Sequence, residues 1–238
     1  MIEITNEKDI ANKFINWKSD IEAQEWLKTM GYDLDEIEYV NAEILHGYKT
    51  NVQVQITIKL KKIIDVQNLQ VKLVSNKKGY NQIDKRWIRN YQEMWQIPDD
   101  ITQILKYYTG EEKPYRNDVK DKRRMFFSEM TTIEQNKIIS FFSKNKTMII
   151  TDIMKGRGKF SAEWVLVAQK DNQMQRWTLK PMNVVMNYYA DGNVEITARG
   201  SLKVGKITMQ RKGGDNGRIT ANMLQFKLDP TDIFDIKY

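Results

Sequence analysis

Residues 52–60, VQVQITIKL, alternate without interruption: Val52, Val54, Ile56, Ile58 and Leu60 fall on one side of an extended chain, polar residues on the other. Successive side chains of a strand point to opposite faces, so this pattern demands a sheet with one face buried. Leu69, Val71 and Leu73 repeat the alternation and predict a second strand over 68–74, after the turn-like KKIIDVQ. In that strand Gln70 and Lys72 are two apart and share the face opposite Leu69 and Val71. A polar pair backed by an apolar face suits a cleft lined by a sheet. Antiparallel pairing of the two strands would bring Asn51, which opens the first, beside Gln70.

Elsewhere the period changes. Ile10, Phe14, Trp17 and Ile21 predict one amphipathic helix over Asn6–Met30, with Asn6 as N-cap and Gly31 as its end. Ile83, Trp87, Tyr91 and Trp95 predict a helix over Asn81–Gln96, and Pro98 stops it and starts a short helix to Thr109. Residues 110–124 read as a polar loop, and Thr131–Asn145 as a helix with Thr132 and Gln135 in capping-box positions. Strands are expected at 147–154, 163–169, 175–179, 193–197, 206–211 and 221–228, with a short helix near 181–190. No repeat and no linker rich in Pro, Gly or Ser divides the chain. The expectation is one α/β (α+β) domain over 1–238, with a central mixed β-sheet flanked by helices.

Composition removes several chemistries. With no cysteine, disulfides, zinc–thiolate sites and cysteine nucleophiles are excluded, and His46, the only histidine, cannot build a multi-histidine metal site. KGRGK and RKGGDNG lack the strand-to-helix setting and G-K-[ST] ending of a phosphate loop. The N-terminus lacks a secretory signal and no apolar run reaches the roughly 20 residues of a membrane span, so a cytoplasmic protein without membrane partners is expected. Lys plus Arg number 38 against 31 Asp plus Glu, a balance of +7 that favours a polyanionic partner.

The basic residues cluster. Lys72, Lys77, Lys78, Lys85, Arg86 and Arg89 face one acid, Asp84, and interleave with Tyr80, Asn81 and Gln82. Such a mixture could contact phosphates, read base edges and wedge into a base step, or form a solvated helix start. QRKGGDNGR at 210–218 offers Gln210, Arg211, Lys212, Asp215, Asn216 and Arg218 among glycines that permit close backbone approach, or a simple hairpin turn. The clusters Lys120–Arg124, with Lys122, Arg123 and Arg124, and Lys155–Lys159 suit contacts to a nucleic-acid backbone.

Long stretches carry a resemblance. GYKTN at 47–51, QVKLVSNKKGYNQIDKRW at 70–87, YQEMW at 91–95, KDKRRMF at 120–126, GRGKFSAEWVLVAQK at 156–170, RGS at 199–201 and QRKGGDNGRITANMLQFKLDPTDIFDI at 210–236 closely resemble the HinP-type restriction endonucleases. Those enzymes belong to the PD-(D/E)XK nuclease superfamily, in a variant with Gln for the second acid. The resemblance implies a restriction-endonuclease-like fold and a Mg²⁺-dependent type II enzyme acting on double-stranded GCGC. It implies cleavage after the first G, leaving a 5′-phosphate and a 3′-hydroxyl. It also implies a companion methyltransferase protecting the same sites; the chain itself is expected to be a monomer or homodimer. By the same resemblance Gln70 and Lys72 are the family's Q-x-K pair, Gln70 and the Val71 carbonyl are metal donors, and Lys72 is the catalytic cation.

One departure stands out. The family's metal-binding acid falls at Asn51, and a neutral amide lacks the charge on which a hard cation depends. Three readings of Asn51 stay open: an introduced, disabling residue; a natural enzyme drawing another acid from Glu22, Glu25, Glu43 or Asp65; or a sequence-specific DNA-binding protein without catalysis.

Overall fold

The computed structural model describes residues 6–45, 53–61, 63–75, 79–158, 161–170, 175–212 and 218–237. In chain order the first elements are α1 (Glu7–Ile15), α2 (Ile21–Thr29), β1 (Ile37–Leu45), β2 (Gln53–Leu60), β3 (Ile64–Val74) and β4 (Asn81–Arg86). Next come α3 (Ile88–Trp95), α4 (Asp99–Thr109), α5 (Thr132–Lys144), α6 (Lys146–Met154), β5 (Trp164–Lys170) and β6 (Gln175–Pro181). The chain closes with α7 (Met182–Ala190), β7 (Val194–Ile196), β8 (Leu202–Val204), β9 (Ile207–Arg211), β10 (Leu224–Leu228) and a 3-10 turn at Pro230–Asp235. The Cα positions divide these elements into two compact units. One comprises Met1–Tyr80, Met154–Met186 and Asp229–Tyr238; the other comprises Asn81–Ile153 and Asn187–Leu228. Each unit is assembled from separated segments, so no linear linker marks the division.

The first unit is built on a mixed five-stranded sheet, order β1-β2-β3-β5-β6, in which β3 and β5 are parallel and the other pairs antiparallel. The alternation of β2 and β3 does what it predicts: Val54, Ile56, Ile58, Leu69 and Val71 are buried together against Ile10, Phe14, Trp26 and Leu27 of α1 and α2. Phe14 and Trp26 pack at 5.2 Å, and Trp177 of β6 meets Trp26 edge-on at 5.6 Å. On the opposite face Phe234 of the 3-10 turn lies 3.9 Å beneath the Arg176 guanidinium.

The second unit carries an antiparallel sheet, order β4-β10-β9-β8-β7, with α3 to α6. Its core includes an aromatic cluster in which Tyr91 stacks on Trp95 at 4.7 Å and Phe226 meets both edge-on. The Trp95 indole N–H donates to Asp152 at 2.9 Å, so this buried ring keeps a polar partner.

Several expectations need correction. The helix expected over Asn6–Met30 is two helices: Asn6 does cap the first through a capping box, but it closes at Asn16, and Asp20 starts α2 by accepting from the Ala23 N–H. The stretch expected as one helix over Asn81–Gln96 is a strand followed by a helix. Asn81–Arg86 pair with β10, and Trp87 becomes the N-cap of α3, so ladder hydrogen bonds to a distant strand override the local spacing. Residues 147–154, expected as a strand, lie in helix α6; a short apolar run does not distinguish a buried strand from a buried helix. The capping box of α5 is Thr131 with Glu134, one residue earlier than expected. The β2–β3 connection is shorter than KKIIDVQ suggested, since β3 already begins at Ile64. Strands β1 and β8 had no clear signal. Among the described residues no helix is long and apolar enough to cross a membrane.

Candidate active site and DNA-binding surface

In the first unit, strand β3 lies between β2 and β5 and places Gln70 opposite Gln53 on one side and Val165 on the other. Lys72 lies beside Val167, and both valines are buried. Alternation turns Asn68, Gln70 and Lys72 away from the α1–α2 core, so the polar pair shares one face as expected. Gln70 is 3% exposed and Lys72 is half-buried. Below them Gln55 donates to the Asn68 amide oxygen at 2.9 Å, and Asn68 donates to the Ser161 carbonyl at 2.9 Å, which fixes this row of the face. Beyond them Gln169, also buried, accepts from Arg176 at 2.8 Å. A cavity of about 330 Å³ opens at the carboxyl ends of β3 and β5, lined by Leu73, Val74, Ser75, Ala168, Gln169 and Lys170 with Gln175 of β6.

Asn51, Lys77, Lys78, Asp215, Asn216 and His46 lie outside the described residues. The alternative acids separate by face. Asp65 lies on the core face of β3, where it accepts hydrogen bonds from Tyr32 and Gln67. Glu22 is paired at 2.7 Å with the fully buried Lys13 within the helical layer, and Glu25 belongs to the same layer. Glu43 alone of the four shares the face of Gln70, through the register Glu43–Gln55–Asn68. Sequence reading missed Glu163, whose N–H donates to the Asn68 carbonyl and whose carboxylate pairs with Lys155 at 3.0 Å. It directly precedes β5 and carries no motif of its own.

Gln70 and the Val71 carbonyl supply hard oxygen donors, which suit Mg²⁺ in kind. They do not suit it in charge. Among the described residues no three His, Cys, Asp or Glu converge on a metal-sized site. Among the described residues the donor set is therefore incomplete for a hard cation.

In the second unit Asn81, Gln82 and Lys85 are half-buried on β4, the edge strand of its sheet. Asp84, between them, is buried and accepts from the Tyr91 hydroxyl at 2.6 Å and the Arg86 guanidinium at 3.0 Å. Burial, with Asp84 next in importance, pushes the Tyr91 phenol well above its ordinary value. Tyr80, just ahead of β4 and assigned to the first unit, is 62% exposed.

The structure brings together two clusters that are far apart in sequence. Arg124, expected at a DNA surface, is buried and donates to the Lys212 carbonyl at 2.9 Å while its Nε pairs with Asp121 at 3.2 Å. It ties down the chain at Lys212, directly after β9. Arg211 stacks 3.8 Å over Phe126, while Lys122, Arg123 and Arg218 are exposed. Gln210 is half-buried opposite the buried Gln225 of β10.

The family model described as R.HinP1I restriction endonuclease matches residues 30–234. Among solved structures the fold is similar to restriction endonuclease MspI in complex with its cognate DNA, with a TM-score of 0.64 over 93% of this chain and 87% of that one, at 14% identity. No curated protein sequence matches. The structural likeness, at that identity, concerns the fold.

Proposed function

The chain belongs to the R.HinP1I restriction endonuclease family, which makes it a type II site-specific DNA nuclease by class, and from that premise we propose that it binds double-stranded GCGC but cuts poorly because Asn51 stands where the metal-binding acid belongs. The observation that carries the catalytic part is the Gln70–Lys72 pair on one face of β3, beside the buried Val165 and Val167.

The division of labour follows the two units. In the first, Gln70 and the Val71 carbonyl would hold the metal, and the Lys72 ammonium would orient the attacking water or stabilise charge on the scissile phosphate. Mg²⁺, when bound in such a site, neutralises phosphate charge and lowers the pKa of water. With Asn51 all three metal donors are neutral, so no hydrolytic step is assigned to the chain as it stands. In the second unit, β4 and the 210–218 segment carry the groups that meet DNA. An intact site would cut after the first G and leave a 5′-phosphate and a 3′-hydroxyl.

The test is incubation of plasmid DNA carrying GCGC sites with the protein and with Asn51→Asp, each in Mg²⁺ and in EDTA. We expect discrete GCGC fragments from Asn51→Asp in Mg²⁺, at a rate orders of magnitude above that of the parent. Equal cutting by both would mean that another carboxylate, with Glu43 first in line, completes the site. Binding without cutting by either would leave a sequence-specific DNA-binding protein, the reading that Asn51 otherwise favours.

A further inference from the structure

In the second unit an open pocket of about 560 Å³ is lined by Lys120, Phe126, Arg199, Ser201, Gln210 and Arg211, together with Ala198. Three of these are cations and none is an acid. Both Arg211 and Lys120 lie over the same Phe126 ring, at 3.8 and 5.9 Å from its centroid. The nearby acids are engaged elsewhere: Asp121 pairs with Arg123 and Arg124, and Glu129 accepts the Lys120 and Phe126 backbone N–H groups, each at 2.7 Å.

Arg211 carries the decisive feature. Its Nη1 is buried and has no hydrogen-bond partner among the described residues. A buried donor left unmade costs about 1–3 kcal/mol, more when charged, so it calls for an acceptor from outside the chain, whether an ion, a ligand or an ordered water. Burial, with Arg124 adding like charge, holds the Arg211 guanidinium below its ordinary pKa against the weaker pull of Asp121 and Glu129. The walls are firm. Phe127 donates to the Gly200 carbonyl at 3.0 Å, and a Cβ on Gly200 would come within 2.6 Å of the Phe126 Cβ.

We propose that this pocket takes a phosphate of the DNA backbone, Arg211 donating its buried N–H and Arg199 and Lys120 supplying further charge, so that Arg211 anchors the duplex instead of reading a base. Several cations around one pocket without an acidic member match phosphate oxygens, which only accept; a G·C pair also presents the cytosine N4 donor, for which this pocket has no carboxylate. The proposal rests on the reading of the chain as a DNA-binding nuclease.

Binding of two labelled duplexes, one with GCGC and one without, is measured in EDTA at several salt concentrations. The proteins are the parent, Arg199→Ala, Lys120→Ala and Arg211→Ala, each checked for native circular dichroism. Each variant is expected to weaken both duplexes alike, by about three- to tenfold near 0.1 M salt, and to flatten the slope of log affinity against log salt by about 0.9, the share of one phosphate. If Arg211→Ala unfolds, the two exposed positions decide. Unchanged affinity and slope in all variants would overturn the pocket alone, and so would a loss confined to the GCGC duplex, which would mean base reading. Calorimetric binding of inorganic phosphate that Arg199→Ala abolishes, with duplex affinity intact, would reassign the pocket to a free anion and overturn the proposal. A parent protein that binds neither duplex would overturn the DNA reading and the pocket together.

Discussion

Tyr32 and Asp65 illustrate how one side chain's face decides what it can do. Asp65 sits five residues before Gln70, and odd spacing on a strand sends it to the other side of the sheet. There the Tyr32 hydroxyl donates to its carboxylate, and this bond, with Gln67 and the Val66 N–H, holds the Asp65 pKa below the usual value despite burial. A depressed carboxylate contributes stability above its unfolded pKa, and that contribution is lost as pH falls through the folded value. The window therefore lies below about pH 4. Tyr32→Phe should raise the Asp65 pKa toward its ordinary value and flatten the acid limb of stability in that window. Urea midpoints from pH 2 to 6, with NMR titration of the Asp65 carboxyl, would check it; an unmoved Asp65 titration would contradict the account.

At the scale of elements, the β8–β9 hairpin depends on one backbone conformation. Val204 pairs with Ile207, which leaves Gly205 and Lys206 to make the turn. Gly205 has φ of +59°, and a Cβ there would meet the Tyr189 carbonyl oxygen at 2.4 Å. Lys206 donates to that same carbonyl at 2.8 Å, so the end of α7 and the hairpin are bonded through the crowded atom. Gly205→Ala should destabilise the protein by about 1–3 kcal/mol from backbone strain alone, with the clash adding to it. Denaturant unfolding measures this directly, and an unchanged midpoint would show that the turn relaxes freely. The hairpin feeds β9, which carries Gln210 and Arg211, so the same substitution should weaken DNA binding if the fold survives.

For the whole molecule the formal charge of +7 sets the first-order behaviour toward DNA. Neutralising phosphates releases counterions, so a protein making roughly six to ten phosphate contacts loses about 10³–10⁵ in affinity between 50 and 200 mM salt. We expect that steep dependence for the chain in EDTA, with and without GCGC, measured by fluorescence anisotropy. A nearly flat response would mean that the basic clusters are ordinary solvated surface.

The half-buried β2 and β3, the shared face of Gln70 and Lys72, and the family were legible in residues alone. They depend on period-two alternation and on long runs of matching residues, both of which are properties of neighbouring positions. The break between α1 and α2, the strand at Asn81–Arg86 and the helix at Lys146–Met154 were not legible. In each, a partner distant in sequence or a cap decides between conformations that the local pattern leaves close in energy. Tertiary structure likewise decided that Asp65 and Glu22 belong to the far side of the sheet, that Arg124 is a buried brace, and that Lys120, Arg199 and Arg211 share a pocket. Those facts follow from sheet order and from contacts between segments as far as 88 residues apart, which single-chain periodicity does not encode.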